Sequence, residues 1–294
     1  MQVCEAFGGE IVTADSRQVY RYMDIGTDKP SKDDQARVPH HMIDLVDPNE
    51  SYTLALYQEQ AYSAIDDILA RGKLPVLAGG TPLYVNAVIE GWTIPRVEPN
   101  LAYRDSLFLE AEEQGPEALH ERLQQLDPAA AKAILPTNTR RIVRALEVIE
   151  QTGKPISTQQ SKSPPPYVIL PILLSCDRTI LYERIDRRVD HYIERGLVDE
   201  VSHLHNMGYA FSLSSMSGIG YRQIGDYLEG KATLDAAVQR IKWDTHAFVR
   251  HQANWFRRVT DGHILDVTSQ PPTGEALSLV KEFLRVVPHA NGIV

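Results

Sequence analysis

The stretch Glu10-Ile11-Val12-Thr13-Ala14-Asp15-Ser16-Arg17-Gln18-Val19-Tyr20 sets a carboxylate, a hydroxyl, a guanidinium and an amide directly behind an apolar run. The run reads as a buried strand, and open α/β sheets gather ligands at the carboxyl ends of their strands. Asp15 therefore stands where a general base would stand. The competing reading is that Asp15-Ser16 caps a following helix, since short polar side chains accept from its first free N–H groups. Residue types alone leave both open.

Further clusters invite a chemical reading. Ala78-Gly79-Gly80-Thr81-Pro82-Leu83-Tyr84 puts two glycines and a hydroxyl behind another strand, which suits close approach to a ligand or simply a tight turn. Arg140-Arg141-Ile142-Val143-Arg144-Ala145-Leu146-Glu147 crowds three guanidiniums onto a helix, with Arg141 and Arg144 on one face. They contact phosphate, or they form a local ion-pair network in which Glu147 is one partner. Gly218-Ile219-Gly220-Tyr221-Arg222-Gln223 presents an arginine just past a glycine-rich segment; its planar fork can clamp a diphosphate, or the segment merely starts a helix. His40-His41 is not expected to bind metal, because neighbours on a strand point to opposite faces. Gly225-Asp226-Tyr227-Leu228-Glu229-Gly230-Lys231-Ala232 approaches a phosphate-binding loop but ends in Ala, carries carboxylates and follows no strand. It reads as a helix end and turn.

Positioning these groups requires a sheet. Strands are expected at Glu10–Ala14, His41–Val46, Leu74–Ala78, Tyr167–Ser175 and His263–Val267, with an amphipathic helix at Thr53–Arg71. Short apolar strands alternating with helices specify an α/β fold, a parallel sheet flanked by helices. From about Pro95 to Pro166 helical runs follow one another: Leu101–Gln114, Pro116–Leu126, Pro128–Leu135 and Asn138–Thr152. An inserted all-helical subdomain at 95–166 is expected, splitting an α/β core of 1–94 and 167–294. Leu181, Ile185, Val189, Ile193, Leu197 and Val201 form an apolar stripe that Gly196 can break. In a later helix Leu234, Val238, Ile241, Thr245, Phe248, Gln252 and Trp255 form a second stripe. Trp243, Arg250 and Arg257 run beside it, as a rim around the core or a face for a nucleic-acid backbone.

The 294 residues carry a net charge of −9, unevenly spread. Residues 1–138 hold 11 basic and 22 acidic side chains, whereas 139–258 hold 17 and 13, so the middle of an acidic chain is basic. A screened field acts over about 8–10 Å, so such a region can bind a polyanion locally or be a salt-bridged helical surface. Two cysteines, Cys4 and Cys176, supply neither a disulfide framework nor a zinc spacing. No run suits a bilayer span, and Met1–Phe7 does not read as a signal peptide. A cytoplasmic protein is expected.

Taken in order, Asp15-Ser16-Arg17-Gln18-Val19-Tyr20, Met23-Asp24-Ile25-Gly26-Thr27-Asp28-Lys29-Pro30, Pro39-His40-His41-Met42-Ile43-Asp44, Gly79-Gly80-Thr81-Pro82-Leu83-Tyr84, Arg141-Ile142-Val143-Arg144-Ala145-Leu146-Glu147, Gly196-Leu197 with Glu200-Val201, and Gly220-Tyr221-Arg222-Gln223 resemble the tRNA dimethylallyltransferases, also called tRNA isopentenyltransferases. The resemblance implies a P-loop-kinase-like core whose helical insertion contacts tRNA. It implies transfer of a dimethylallyl group from dimethylallyl diphosphate to the exocyclic amine of the adenosine 3′ to the anticodon. By that resemblance Asp15 is the general base, Ser16 and Gln18 hold the adenine, and Arg17 and Thr81 contact tRNA. Arg140, Arg141 and Arg144 grip the anticodon stem-loop, and Arg222 binds the diphosphate as a second catalytic residue. Mg²⁺, nucleotide binding (ATP included) and a monomer are also implied.

The match has departures. The family pattern opens with a strand and a Gly-rich loop ending in Lys-Ser/Thr, whereas here Met1–Phe7 reads as the end of the first helix and Gly8-Gly9 as the turn into the second strand. That loop would cradle the diphosphate and place Mg²⁺. Weakened donor binding and two exposed inner strand edges are therefore expected, with a truncated gene model as the explanation. A tRNA-binding protein without catalysis is the alternative; a small-molecule P-loop kinase leaves the insertion and arginines without a role. Late in the chain, where the family usually shows Thr-Arg and then Lys-Arg-Gln, the positions read Thr245-His246 and Arg250-His251-Gln252, so two sites that usually carry full charge carry His, which predicts a weaker basic face near neutral pH.

Overall fold

The computed structural model describes residues 1–257, 259 and 261–287. It divides into two compact units, Met1–Ile89 with Pro166–Val294, and Glu90–Pro165.

The first unit opens with helix α1 (Gln2–Phe7), stopped by Gly8 in the left-handed region, and strand β1 (Glu10–Thr13), buried throughout. A long loop leads to α2 (Lys32–Arg37) and the two-residue strand β2 (His40–His41). β2 is shorter than the His41–Val46 run predicts, because Met42 and Asp44 turn the backbone through φ of 68° and 53°. The rest of the run survives as one bridge, Val46 to Tyr20. Helix α3 (Leu54–Ala70) is capped by the Thr53 hydroxyl, which accepts from the Leu56 N–H at 3.2 Å, and buries Tyr57, Ala61, Ile65 and Ile68 along one face. Strand β3 (Pro75–Ala78) and α4 (Pro82–Ile89) follow.

The second unit is helical. α5 (Leu101–Gln114), α6 (Pro116–Leu126), α7 (Pro128–Ala133), α8 (Thr139–Thr152) and the short α9 (Ile156–Gln159) surround a core of Leu107, Leu119, Leu123, Ile142, Leu146 and Val148. Asn100, Asp127 and Asn138 cap three of them, a contribution of about 1 kcal/mol each. Asp127 also accepts from the Ser157 N–H and hydroxyl, which fastens α9 to the start of α7.

The chain then returns to the first unit as β4 (Ile172–Ser175), α10 (Arg178–Glu194) and α11 (Leu197–Asn206). Gly196, at φ 96°, breaks the apolar stripe into these two helices. A 3₁₀ turn at Ser215–Ser217 precedes α12 (Tyr221–Leu228), followed by α13 (Leu234–Phe256), β5 (His263–Asp266) and α14 (Thr273–Val286). Gly225–Lys231 falls on the end of α12 and its turn, with Lys231 paired to Glu229.

All strand pairs are parallel, in two sheets ordered β2-β1-β3 and β4-β5. Among the described residues β2 and β3 are the edge strands of the first sheet, and β4 and β5 each have one unpaired edge in the second. The main core joins β1 to α3, α4, α10, α11, α12 and α13 through Val12, Tyr57, Ile65, Val189, Leu197, Ile224 and Ile241. On α13 the predicted apolar stripe is only partly realised: Ile241 is buried, but Phe248 is 46% exposed. No described helix is long and apolar enough to cross a membrane.

Candidate active site

β1 ends at the loop that begins with Asp15. Asp15 Oδ1 accepts from the backbone N–H of Arg17 at 2.7 Å and of Gln18 at 3.3 Å. The capping reading is thus correct for one oxygen, although what it caps is a turn. Oδ2 accepts from no described residue, so the same carboxylate retains a free, oriented acceptor. Beneath the loop, Tyr57 and Tyr84 stack at 3.7 Å, and the Tyr57 hydroxyl donates to the Thr13 carbonyl at 3.1 Å. Burial, then neighbouring groups that include Asp15, pushes both phenols up, so they stay neutral beside the carboxylate.

The β3 turn closes directly on this loop. Thr81 donates its backbone N–H to the Ala14 carbonyl at 3.1 Å, and its Oγ1 accepts from the Ser16 N–H at 3.0 Å. Gly79 permits this: a Cβ there would lie 2.2 Å from the Ala14 oxygen, far inside contact distance. Gln252 of α13 donates to the Gly80 carbonyl at 2.7 Å. In the sequence Gln252 stands both in an apolar stripe and in the late-helix Arg250-His251-Gln252 motif, and an amide within such a stripe is the signal for this contact.

Two side chains expected to meet tRNA act as struts. Arg17 donates to the carbonyls of Ser214 and Ser215 at 2.8 and 3.1 Å and to the Ser217 hydroxyl at 3.3 Å. Gln18 donates to the carbonyls of Thr27 and Asp28 at 3.0 and 3.3 Å, leaving its amide oxygen as the group able to face a ligand. The loop it grips is knotted by Lys29, buried among the Tyr20 carbonyl, Asp24 and Asp44 at 2.9, 2.5 and 2.7 Å.

Arg222 lies one residue inside α12, whose entry is fixed by the Gln223 side chain accepting from the Gly220 N–H at 2.9 Å. Its Nη2 donates to Asp244 Oδ2 at 2.8 Å, and the side chain is half-exposed. Asp244 also accepts from Gln223 and Arg240. Burial alone would raise the Asp244 carboxyl; hydrogen bonds from Gln223 and Arg240 and the nearby charge of Arg222 hold it below its ordinary value. One edge of the Arg222 fork is therefore oriented by a carboxylate whose ionised form its neighbours favour. The Arg17 strut ends on the turn that leads into this segment, and Arg17 Cδ lies 3.5 Å from a Cβ built on Gly218. The fold thus brings Arg17 to the Ser214–Gly218 turn that leads into the helix bearing Arg222, although some two hundred residues separate them.

The other expected residues fall on α8. Arg140 and Arg141 are exposed, without ion pairs among the described residues. Arg144 instead pairs with Glu147 at 2.6 Å; Arg104 adds two bonds of 2.8 Å, and Glu147 is fully buried. For Arg144 the ion-pair network is realised. Along α13, Trp243 is 62% exposed and Arg250 donates to the Tyr182 hydroxyl at 2.9 Å. His246 stacks on Tyr182 at 4.0 Å and faces Asp186 at 2.9 Å, so it is engaged within the core helices. His40 and His41 have separate partners, the Val38 carbonyl and Glu10. A depression lined by Asp266, Gln270, Pro271 and Thr273 lies behind β5 and contains none of the expected residues.

The structure is thus a parallel α/β core whose strand-end loops carry Asp15 and Thr81, interrupted by a helical unit, and such strand ends are where α/β sheets gather ligands. The model of the IPP transferase family matches residues 18–259. A tRNA dimethylallyltransferase of Roseiflexus castenholzii is 56% identical over 259 residues, covering 88% of this chain and 85% of that one. The full-length tRNA isopentenylpyrophosphate transferase of Bacillus halodurans superimposes with a TM-score of 0.69 at 38% identity, over 96% of this chain and 89% of that one. A eukaryotic dimethylallyltransferase acting on tRNA gives 0.82 at 25% identity, over 100% and 77%. The chain belongs to the IPP transferase family.

Proposed function

We propose that this protein is a prenyltransferase that moves a dimethylallyl group from dimethylallyl diphosphate to the exocyclic amine of the adenosine 3′-adjacent to a tRNA anticodon. The observation that carries the reading is the bracing of the Asp15–Gln18 loop, through Arg17, on the Ser214–Ser217 turn that leads into the helix bearing Arg222, in a chain 56% identical to a tRNA dimethylallyltransferase. The amine is a poor nucleophile because its lone pair is delocalised into the ring. As its nitrogen bonds to the allylic carbon, the carbon–oxygen bond breaks and that electron pair leaves with the diphosphate. The amine proton passes to Asp15 through Oδ2, a contribution of about 10²–10⁴-fold for a placed base. Arg222 meets the charge growing on the diphosphate, aimed by Asp244. Ser16, Gln18 through its oxygen, and Thr81 hold the adenine and adjoining tRNA, with Arg17 stiffening that loop. Arg140 and Arg141 contact stem-loop phosphates, and Arg144 supports their helix. The adenosine leaves its stack to react, at a cost of a few kcal/mol.

Mg²⁺ enters this proposal as the counter-ion of the diphosphate. The described residues contain no group of three or more His, Cys, Asp or Glu that would cage it, and no step is assigned to it. The tRNA substrate and free Cys4 and Cys176 support a cytoplasmic site of action, with the protein acting as a monomer. The test is incubation with unmodified tRNA, dimethylallyl diphosphate and Mg²⁺, followed by nucleoside analysis. Isopentenyladenosine next to the anticodon is expected. Tight tRNA binding without it would replace this reading by that of a tRNA-binding protein.

A further inference from the structure

We infer that Glu200 is a positioning residue that locks the acceptor side of the site to the donor side, an assignment that rests on the reading above. Glu200 belongs to α11 and is neither at the reacting atoms nor on the β1 loop. Its carboxylate nonetheless collects four hydrogen bonds. Oε2 accepts from the backbone N–H groups of Asp24 and Ile25 at 3.0 and 2.7 Å. Oε1 accepts from the Gly26 N–H at 3.2 Å and from the Tyr221 hydroxyl at 2.6 Å.

These donors come from two different halves of the site. Residues 24–26 begin the loop whose Thr27 and Asp28 carbonyls hold Gln18. Tyr221 is buried and immediately precedes Arg222, so the rotation of its ring and the start of α12 are coupled to the direction of the fork. The two halves also touch directly: a Cβ on Gly26 would lie 2.6 Å from the Tyr221 ring. Burial first, then the charge of Glu200, pushes the Tyr221 hydroxyl far up, so it remains a donor to that carboxylate at any working pH.

The loop needs such an anchor. Tyr22 and Asp28 both sit at positive φ, 66° and 52°, a conformation that non-glycine residues hold only when their surroundings impose it. Lys29 supplies one constraint, but all its partners lie between Tyr20 and Asp44. Arg188 and Arg195 approach Asp28 only at 3.8 and 3.9 Å. Glu200 is the short, multiple connection from this loop to the helix bearing Arg222.

Two near-isosteric variants separate positioning from mere stability. Glu200→Gln puts an amide nitrogen where a loop N–H needs an acceptor: turned toward Asp24 and Ile25 it loses both bonds, and turned toward Gly26 and Tyr221 it loses the Gly26 bond while the Tyr221 hydroxyl can reverse to accept. Tyr221→Phe removes only the link to the donor side. KM for tRNA and for dimethylallyl diphosphate, melting temperature, and amide hydrogen exchange at Asp24, Ile25 and Gly26 are measured for both and for the wild type. In Glu200→Gln we expect exchange at these amides and both KM values to rise about tenfold, with a melting temperature close to wild type. In Tyr221→Phe only the KM for the diphosphate should rise, about fivefold, while exchange and the KM for tRNA stay put. Unchanged KM values in both variants overturn the assignment, as does a Glu200→Gln effect on one substrate alone. Should Glu200→Gln fail to fold, Tyr221→Phe decides by the same criterion. A wild type that makes no isopentenyladenosine defeats the functional reading instead; the exchange arm then still decides whether Glu200 holds the loop.

Discussion

The arginines of the two units are held in opposite ways. In the α/β unit, Arg17 and Arg222 are tied to carbonyls, a hydroxyl and a carboxylate, and each has a fixed direction. On α8 of the helical unit, Arg140 and Arg141 stand exposed, while Arg144 turns back to a buried Glu147. A fixed fork suits a leaving group whose charge develops at one place, since a preorganised donor need not reorganise as the reaction proceeds. A solvated guanidinium suits a polyphosphate surface, where position matters less than charge and binding is driven by counterion release.

The sharpest way to break this contrast starts with the base. Asp15→Asn keeps an acceptor for the Arg17 and Gln18 N–H groups and removes only the proton acceptor, so kcat should fall about 10²–10⁴-fold with the fold intact. Full turnover would remove Asp15 from the chemistry. Arg222→Ala should cost about 10²–10³-fold in kcat at saturating tRNA, measured by single-turnover kinetics. An effect confined to tRNA affinity would place Arg222 with the α8 arginines instead. Arg144→Ala should destabilise the helical unit by about 1–3 kcal/mol in denaturant titrations, because Glu147 loses one of its two cationic partners while buried. It should leave the salt dependence of tRNA binding unchanged. The Arg140→Ala, Arg141→Ala double variant should do the reverse: wild-type stability, weaker tRNA binding, and a salt slope reduced by roughly 0.7–0.9 per lost phosphate contact.

The smallest expected effect is on acid stability. Burial would raise the Glu147 carboxyl, but the hydrogen bonds from Arg104 and Arg144 hold it below its ordinary value. A depressed carboxylate contributes stability that is fully present above the unfolded pKa, about 4.3, and is lost as pH falls through the folded value. Glu147→Gln should flatten the pH dependence of unfolding of the helical unit below about pH 4.5, read by circular dichroism. An unaltered slope would assign acid sensitivity to other carboxylates.

Much of this was legible in the sequence wherever a local signal agreed with the global one. β1, α5 and α6 lie where the apolar run at Glu10–Ala14 and the helical runs at Leu101–Gln114 and Pro116–Leu126 put them. The expectation failed where backbone geometry overrode pattern. His41–Val46 is a short, mostly apolar run like a strand, yet Met42 and Asp44 adopt left-handed φ, and Asp44 meets Lys29. Tyr167–Ser175 shortens to Ile172–Ser175, with Pro171 just ahead of it lacking a donor. At the site, residue types pointed to Asp15 and Arg222, but they do not encode partners. That Arg17 would brace Ser214 and Ser215, or that Asp244 would aim Arg222, depends on contacts between segments 22 to 198 residues apart.

The contact between Gly79 and the Ala14 carbonyl has an evolutionary implication. The closest approach of these two loops is main chain against main chain, with the Thr81 Oγ1 bond to the Ser16 N–H as a side-chain link beside it. Substitution can redecorate the rim through Ser16, Thr81 or Gln252, but it cannot pry the loops apart without dismantling the ends of β1 and β3. Any drift toward a bulkier guest therefore has to begin with a backbone insertion, and point mutation explores only variants of one aperture.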